Sequence, residues 1–251
     1  MPADAGWRSA GGPVEADART HLVVEPGSLA EIANGPLTLP TAAHHHCARV
    51  LRLRPGERVT LTDGGGRWVE VVLSPSFGDT GDVIPAGSVR QESRPPDIGV
   101  AFSLTKGDRP ETVVQKLTEL GVARIIQVRA VRSIVKWDDS KAERNTARLA
   151  LIARSALEQS RGVWLPIIEH GITAELLARR PGVVRADRGG REFRSGDAIV
   201  AIGPEGGWDA SERALMPEAV GLPGSVLRAE TAAIVAGALL VGLHARQRNR
   251  E

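Results

Sequence analysis

A double proline, Pro95-Pro96, divides the chain into two parts with different residue patterns. Consecutive prolines remove two backbone N–H donors and favour extended backbone, so regular pairing does not continue through them. The part up to Pro95 carries 9 basic and 11 acidic side chains, whereas the part after it carries 23 and 19. The sequence therefore predicts a boundary at this point, with domains over residues 19–94 and 95–251.

The part before the break predicts β structure. Three short runs of β-branched and alternating residues are typical of strands, and they cover residues 21–24, 57–62 and 67–73. Residues 63–66 (Asp-Gly-Gly-Gly) predict a hairpin between the last two. A small β-barrel would leave such strands without open edges. Residues 41–53 are interpreted instead as a helix, with Val50 and Leu53 facing inward.

After the break, predicted strands alternate with predicted helices. The strands cover residues 98–104, 123–130, 183–186 and 198–203. Capping boxes predict helix starts at Asp108, Ser140 and Asp209, and an apolar helix over 230–244 closes the chain. This alternation predicts an α/β domain with a mainly parallel sheet, whose ligands lie at the carboxyl ends of its strands.

Composition excludes several classes of protein. A single cysteine, Cys47, excludes an internal disulfide framework and a cysteine-based zinc site. Neighbouring side chains in residues 44–46 (His-His-His) point apart, so we predict no metal site. The longest apolar run, residues 232–243, has 12 residues and is too short to span a bilayer. We expect a cytoplasmic protein without membrane contact. Residues 1–18 are expected to form a flexible extension before the first domain.

The most informative segment covers residues 199–208, where an apolar strand enters a glycine-rich turn before a capped helix. Gly203, Gly206 and Gly207 would let a ligand approach the backbone closely. The segment is not a phosphate-binding Walker loop, because no Gly-Lys-Ser/Thr follows it. It is not the Gly-x-Gly-x-x-Gly dinucleotide fingerprint either, because Glu205 replaces the second glycine. On spacing alone, an ordinary strand-to-helix turn explains the segment equally well.

A second glycine loop covers residues 221–231. We expect a three-residue strand over 225–227, and Arg228 and Glu230 to lie where the chain leaves it. A surface ion pair and an acid favoured at a helix start would account for these two residues taken alone.

Taken together, the two loops and the helices after them resemble the RsmE family of 16S rRNA (uracil N3) methyltransferases, within the SPOUT superfamily. The resemblance extends to four other segments, namely residues 45–57, 115–122, 131–133 and 156–161. The sequence departs from the family pattern at Trp208, where a smaller apolar residue is usual, and at Ala229, where threonine is common.

The resemblance implies a PUA-like, RNA-binding β-barrel followed by a SPOUT α/β domain with a trefoil knot. It further implies a homodimer formed through the knotted domain, with 16S rRNA or the small ribosomal subunit as partner. The two loops would form the pocket for the methyl donor, S-adenosylmethionine. The expected pocket residues are Ile202, Gly203, Pro204, Glu205, Gly206, Leu222, Gly224, Ser225, Leu227 and Thr231.

Methylation of uracil N3 requires removal of a proton, so the target base must be unpaired and a group must accept the proton. Glu205 and Glu230 are the candidate bases, and Arg228 is the candidate partner for charge that develops on a ring oxygen. Residues 124–161 hold nine basic and four acidic side chains, which favours phosphate contacts. The expected RNA contacts are Arg129, Arg132, Lys136, Lys141 and Arg161.

Three alternatives stay open from the residues. The chain could be a non-catalytic RNA-binding or ribosome-assembly protein on the same scaffold. It could be a nucleotide-dependent enzyme that uses residues 203–207 as a Rossmann-like loop. It could also be a SPOUT methyltransferase with another target, such as a ribose 2′-oxygen.

Overall fold

A computed structural model of the protein describes residues 18, 20–32, 35–103, 109–133 and 139–248. It divides into two compact units. The first unit runs to Pro95 and also contains Leu157–Leu165, which the sequence places with the second domain. The second unit contains Pro96–Ala156 and the chain from Pro166 onward.

The described part of the first unit holds six short strands, three short helices and a π-helical turn. They are β1 (Thr20–Val23), α1 (Ser28–Ile32), β2 (Leu37–Thr38), α2 (Thr41–His45), the π-helical turn (His46–Val50), β3 (Arg58–Thr62), β4 (Arg67–Leu73), α3 (Phe77–Thr80), β5 (Asp82–Pro85) and β6 (Arg90–Gln91). The sheet order is β1-β3-β4-β5-β2, with β6 also paired to β4. Strands β3 and β4 form the expected antiparallel hairpin, and β1 lies parallel to β3.

Polar contacts join the segment Leu157–Leu165 to β1 and β3. The buried imidazole of His21 lies 2.7 Å from Thr60 Oγ1 through Nδ1 and 2.8 Å from the carbonyl oxygen of Gly162 through Nε2. Burial lowers the pKa of His21 to about 4, against the opposing effect of the Gly162 carbonyl. Glu158 Oε1 accepts the backbone N–H of Val23 at 3.0 Å. Residues far apart in sequence thus complete the first unit.

The same segment also pairs with the hairpin turn. Leu165 donates its backbone N–H to the Gly64 carbonyl, and Gly66 donates its own to the Val163 carbonyl, each at 2.8 Å. Trp68 packs against Val163 and Trp164 beside these bonds. A turn that would otherwise face solvent is therefore covered.

The interpretation of residues 41–53 as one helix with Val50 inward is wrong. Helix α2 ends at His45 and continues as the π-helical turn, after which Arg52 adopts a left-handed φ of 55°. The wider turn shifts which side chains face the core. Val50 is consequently 60% exposed, whereas Leu53 packs against the core of the first unit as expected.

The described part of the second unit alternates strands and helices. They are β7 (Gly99–Ser103), α4 (Arg109–Glu119), β8 (Arg124–Arg129), α5 (Asp139–Ser160, whose last turn belongs to the first unit), β9 (Ile167–Thr173), α6 (Ala174–Ala178), β10 (Val183–Arg191), β11 (Ile199–Ile202), α7 (Ala210–Leu215), β12 (Ala219–Val220) and α8 (Ala229–Arg248). The sheet order is β12-β10-β11-β7-β8-β9, and every pairing in it is parallel. The expected parallel sheet is confirmed.

Helices cover both faces of this sheet. On one face, side chains of β7, β8 and β11 form a core with α6 and with Trp208 and Met216, at the two ends of α7. On the other face, α8 packs against β7, β11 and α4. The central strands are buried throughout, which explains their nearly continuous apolar sequence.

Two local predictions in this unit are wrong, and one lies outside the described residues. Helix α5 begins at Asp139, so Ser140 lies within the helix and does not cap it. Residues 225–227 form no strand, because the strand of this region, β12, lies upstream of the glycine loop. The capping box at Asp209 is confirmed. The predicted cap at Asp108 falls outside the described residues.

Helix α8 has a long apolar stretch and approaches its neighbours closely. By length and composition it is the one described helix that could cross a membrane, with a mean hydropathy of 1.2 over its most apolar window. It nevertheless packs on the sheet, where a β-carbon added at Gly237 would collide with Leu117 and lie 3.4 Å from Val122 Cγ2. At Gly242 an added β-carbon would meet no atom within 4 Å.

The two helical glycines therefore predict opposite effects of one substitution. Gly237→Ala is expected to destabilise the protein by about 1–2 kcal/mol through overpacking. Gly242→Ala is expected to stabilise it by about 0.5–1 kcal/mol, because alanine restricts the unfolded chain and favours helix. Urea unfolding of both variants measures the difference. Equal stability of the two would show that α8 does not pack tightly at Gly237.

Candidate functional site

A cavity of about 640 Å³ opens at the carboxyl edge of the second unit's sheet. Its walls come from three stretches of chain, residues 186–189, 202–208 and 221–229, together with Arg213 and Ala232. The first stretch lies within β10, just past its pairing with β11, and the other two follow β11 and β12. These three strands lie next to one another in the sheet. The cavity thus lies at the edge where a parallel sheet presents ligand-binding groups.

The first wall is the glycine turn after β11. The four residues of β11 are buried, and the chain then turns with the N–H of Gly207 donating to the Pro204 carbonyl at 2.8 Å. Gly207 has a φ of 71°, a conformation that glycine adopts without strain. A β-carbon at Gly203 would lie 2.9 Å from Nε1 and 3.1 Å from Cδ1 of Trp208. The buried Trp208 indole therefore requires glycine at position 203.

Helix α7 fixes the far end of this turn. Asp209 caps the helix, and its backbone N–H donates to Glu212 Oε2 at 2.9 Å. The other oxygen of Glu212 accepts the N–H of Val131, after β8, also at 2.9 Å. Arg132 donates to the Gly206 carbonyl and to Asp209, each at 3.3 Å. The segment after β8 therefore holds the glycine turn in place.

The second wall is the loop after β12. The N–H of Gly221 donates to the Arg191 carbonyl at 2.9 Å, which joins the start of the loop to β10. Gly224 has a φ of 94°, and Val226 is 73% exposed at the rim. The carbonyl of Arg228 accepts the N–H of Ala232 at 2.8 Å, which leads the chain into α8.

The third wall, residues 186–189, is absent from the sequence-based prediction. Asp187 accepts the backbone N–H of Arg188 at 2.9 Å and lies 3.4 Å from guanidinium nitrogens of Arg185 and Arg213. The sequence does contain a signal for this wall, because Asp-Arg-Gly-Gly (residues 187–190) directly follows the strand predicted over residues 183–186. The rule that ligands lie at the carboxyl ends of parallel strands applies to this strand as it does to β11.

An ion pair with a buried carboxylate, Arg191–Asp197, holds the end of β10. Both oxygens of Asp197 accept hydrogen bonds from Arg191 at 2.8 Å. Burial acts to raise the pKa of Asp197, but the bonds from Arg191 and from the backbone N–H of Arg194 outweigh it and lower the pKa. Arg191 also donates to Glu218 at 3.0 Å, so it joins β10 to the residue before β12.

Eight of the ten expected pocket residues line the cavity. They are Ile202, Gly203, Pro204, Glu205, Leu222, Gly224, Ser225 and Leu227. Gly206 and Thr231 do not line it. The residues that the sequence analysis missed are those of the third wall, with Arg213, Trp208 and several residues of the second loop.

The three expected catalytic side chains occupy two kinds of position. Glu205 and Arg228 are exposed and line the cavity. Glu230 lies in the first turn of α8, outside the lining, and its Oε2 atom is buried. The structure thus brings Glu205 and Arg228 to the cavity and places Glu230 behind it.

The expected RNA contacts lie in both units. Arg129 is exposed beside a smaller cavity of about 400 Å³, and Lys141 is exposed in the first turn of α5. Arg132 is half exposed and bonded to the glycine turn. Arg161 belongs to the first unit, with a left-handed φ of 58°. Lys136 falls outside the described residues.

In the run of residues 44–47, His44 and Cys47 pack inside the first unit, whereas His45 and His46 are exposed. His44 makes an edge contact with Phe77 at 5.1 Å between ring centroids. Burial, with the charge of Glu158, raises the pKa of the Cys47 thiol to about 11, so the group stays protonated at neutral pH. Among the described residues, no group of three or more histidine, cysteine, aspartate and glutamate side chains could hold a metal ion.

Comparison with known proteins identifies the family. The model of the RNA methyltransferase domain matches residues 92–241, more than half of the chain. The chain belongs to the RNA methyltransferase family. Residues 39–76 match the PUA domain of RNA methyltransferases, so the first unit is PUA-like. The resemblance to the RsmE family is confirmed.

Relatives of this methyltransferase carry consistent names. Ribosomal RNA small subunit methyltransferase E of Mycobacterium bovis is 30% identical over 213 residues, which cover 76% of this chain and 80% of the relative. The protein of that name from Synechocystis is 30% identical over 235 residues, covering 86% and 75%.

Solved structures show the same fold with a ligand. The putative methyltransferase from Legionella pneumophila, in complex with S-adenosylmethionine, has a TM-score of 0.74 and 28% identity, covering 89% of this chain and 96% of that one. Ribosomal RNA small subunit methyltransferase E from Neisseria gonorrhoeae, bound to S-adenosylmethionine, has a TM-score of 0.72 and 28% identity, covering 89% and 97%.

The close contact at Gly203 predicts a matched pair of outcomes for this methyltransferase. Gly203→Ala should force the Trp208 indole to move and lower the affinity for S-adenosylmethionine roughly tenfold, since the loss of a well-packed wall is worth on the order of 1.4 kcal/mol. Gly206→Ala should bind like the wild type, because its β-carbon would lie 3.6 Å from the nearest atom, Arg132 Cβ.

Isothermal titration calorimetry measures both affinities. Unchanged affinity in Gly203→Ala would contradict the assigned wall. An equal loss in Gly206→Ala would show that the whole turn, and not the contact with Trp208, sets the affinity.

Proposed function

We propose that this methyltransferase transfers a methyl group from S-adenosylmethionine to N3 of a uridine in 16S rRNA of the small ribosomal subunit. The observation that carries the proposal is the glycine-walled cavity with Glu205 and the exposed Arg228 in its lining. The names of the relatives support a small-subunit rRNA substrate. The ligand of the solved neighbours supports the methyl donor.

The cavity fits the donor in size and in chemistry. Its volume of about 640 Å³ lies within the range of pockets for small ligands. Ile202, Leu222 and Leu227 offer apolar walls, while backbone groups at the glycines can bond a purine edge. Asp187 and Arg188 supply opposite charges suited to the ammonium and carboxylate of an amino acid. S-adenosylmethionine supplies an electrophilic methyl group on a sulfonium, which needs no metal to react.

Side chains at the cavity accept the N3 proton of uracil and stabilise the negative charge that develops on its ring. In the transfer, N3 of uracil gains the methyl carbon, the sulfur–carbon bond breaks, and the N3 proton passes to a carboxylate. We assign proton acceptance to Glu205, because it lines the cavity, and keep Glu230 as the second candidate. Arg228 lines the same cavity, and we assign it the stabilisation of negative charge on a ring oxygen.

Basic side chains between residues 124 and 161 support the binding of RNA. The target base must leave its helix, so the protein has to hold the neighbouring phosphates. We propose that Arg129, Arg132, Lys141 and Arg161 contribute to this, with Lys136. Arg132 has a second role, since its bond to Gly206 would connect a phosphate contact with the cavity wall.

We further propose that the second unit contains the trefoil knot of SPOUT enzymes and that the first unit's sheet closes as a barrel. After β12 at the sheet edge, the chain returns to pack α8 against β11 and β7, which is the path that a threaded chain requires. Side chains of β1, β3, β4 and β5, with Leu37 of β2, share one core, which supports a barrel.

A homodimer through the knotted region is the proposed assembly. Only 39% of the most apolar window of α8 is buried within the chain, so this apolar helix retains surface for a second copy. A cytoplasmic location is proposed from the single reduced cysteine and from the rRNA substrate.

Mass spectrometry of rRNA nucleosides tests the function. Deletion of the gene should remove N3-methyluridine from 16S rRNA, and the wild-type protein should restore it. Retention of N3-methyluridine in the deletion strain would overturn the proposal. Loss of a ribose 2′-O-methyl nucleoside instead would assign the chain another target.

Two isosteric substitutions test the proton acceptor. Glu205→Gln is expected to lower kcat by about 10²–10⁴-fold while leaving S-adenosylmethionine affinity unchanged, because an amide cannot accept the N3 proton. Glu230→Gln is expected to have a smaller effect, since Glu230 lies outside the cavity lining.

Single-turnover methyl transfer measures both variants over a range of pH. In Glu205→Gln the acidic limb of the rate profile should disappear. If Glu230→Gln shows that behaviour instead, proton acceptance belongs to Glu230.

A further inference from the structure

A cluster of exposed arginines lies in the first unit, on the turn that follows α2. Arg49, Arg52 and Arg54 are all exposed within six residues, and we call residues 49–54 the arginine turn. Across the described residues, the structure gives none of the three guanidinium groups a hydrogen bond or a carboxylate partner. The nearest acid in sequence, Glu57, accepts the backbone N–H of Arg54 at 3.0 Å.

Three other arginines of this unit are engaged. Arg58 pairs with Glu70 at 3.2 Å, and Arg67 pairs with Asp63 at 2.7 Å. The guanidinium of Arg90 lies 4.8 Å from the centroid of a Trp68 ring. The arginine turn thus concentrates cations that the fold itself does not use.

Apolar side chains accompany these cations. Val50 is 60% exposed and Leu51 is 41% exposed, between Arg49 and Arg52. Only one other large apolar residue described in this unit, Ile84, is comparably exposed. Exposed apolar groups among unpaired arginines suit a partner that offers phosphates together with sugar and base surfaces.

The backbone of the turn is strained. Arg52 has a φ of 55°, where glycine is the usual residue after a helical turn. The geometry is fixed on both sides, because Leu51 N–H donates to the His46 carbonyl at 2.9 Å and Leu53 N–H to the Cys47 carbonyl at 3.0 Å. A bulky residue that persists in such a conformation is typical of a functional position.

We propose that the arginine turn is an RNA-docking surface, on which Arg49, Arg52 and Arg54 bind phosphates of the rRNA and Val50 and Leu51 contact its sugars or bases. The inference rests on the proposed function for the choice of RNA as partner. Three guanidinium groups without competing carboxylates match the charge of a phosphate backbone, which they bind with paired N–H donors.

Arg52→Gly separates this role from a structural one. Glycine adopts a φ of 55° without strain, so the melting temperature should rise by about 2–4 °C. Affinity for an in vitro transcript of 16S rRNA should fall about fourfold near 0.15 M salt, as expected for one lost phosphate contact. If Arg52 served only the fold, Arg52→Gly would lower the melting temperature and leave the RNA affinity unchanged. That result would overturn the proposal.

The triple variant Arg49→Gln, Arg52→Gln and Arg54→Gln tests the whole turn. The slope of log affinity against log salt concentration should become shallower by about 2, at about 0.7 per contact to a single strand. The KM for the transcript should rise, while kcat and S-adenosylmethionine affinity stay unchanged. Arg58→Gln, an arginine of the same unit that lies outside the turn, is the charge-matched control and should bind as the wild type does.

The failures can be told apart. An unchanged salt slope in the triple variant, with methylation intact, would overturn the docking surface alone. Absence of methylation in the wild type, with the binding difference retained, would overturn the proposed function alone. If the triple variant binds the transcript normally but purified small subunits weakly, the turn contacts a ribosomal protein and the proposal is wrong.

Discussion

The buried carboxylate of Glu212 holds in place the glycine turn that walls the cavity. Only 2% of Glu212 is exposed, and burying such a charge is unfavourable unless its oxygens are satisfied. Each oxygen accepts one backbone N–H, from Asp209 and from Val131. The glycine turn is consequently held between β11 at one end and the start of α7 at the other, beside the segment after β8. With both ends fixed, the glycine turn has little conformational freedom and forms a defined wall of the cavity.

Elements with local signals were predictable from the sequence. The β3–β4 hairpin follows from Asp-Gly-Gly-Gly between two alternating runs, and the start of α7 follows from the Asp209 capping box. The parallel sheet follows from the alternation of elements, and with it the location of ligands at one edge. Most expected pocket residues line the cavity for this reason.

Features that depend on distant partners were not predictable. Residues 41–53 have the apolar spacing of an ordinary helix, so the sequence does not reveal the π-helical turn that exposes Val50. Strand β12 has two residues, and its pairing with β10 rather than its sequence defines it. Trp208 departs from the family pattern, but its contact with Gly203 shows how the departure is accommodated. The indole occupies the space that a side chain at position 203 would need.

The composition of the first unit has a consequence for biosynthesis. His21, Val23 and the turn at Gly64 and Gly66 each have a hydrogen-bond partner in Leu157–Leu165. At about 5–20 residues per second, a ribosome adds the roughly 60 intervening residues in about 3–12 seconds. The N-terminal domain therefore stays incomplete while much of the catalytic domain is translated. Strictly vectorial folding, one domain after the other, would leave the first unit without these contacts.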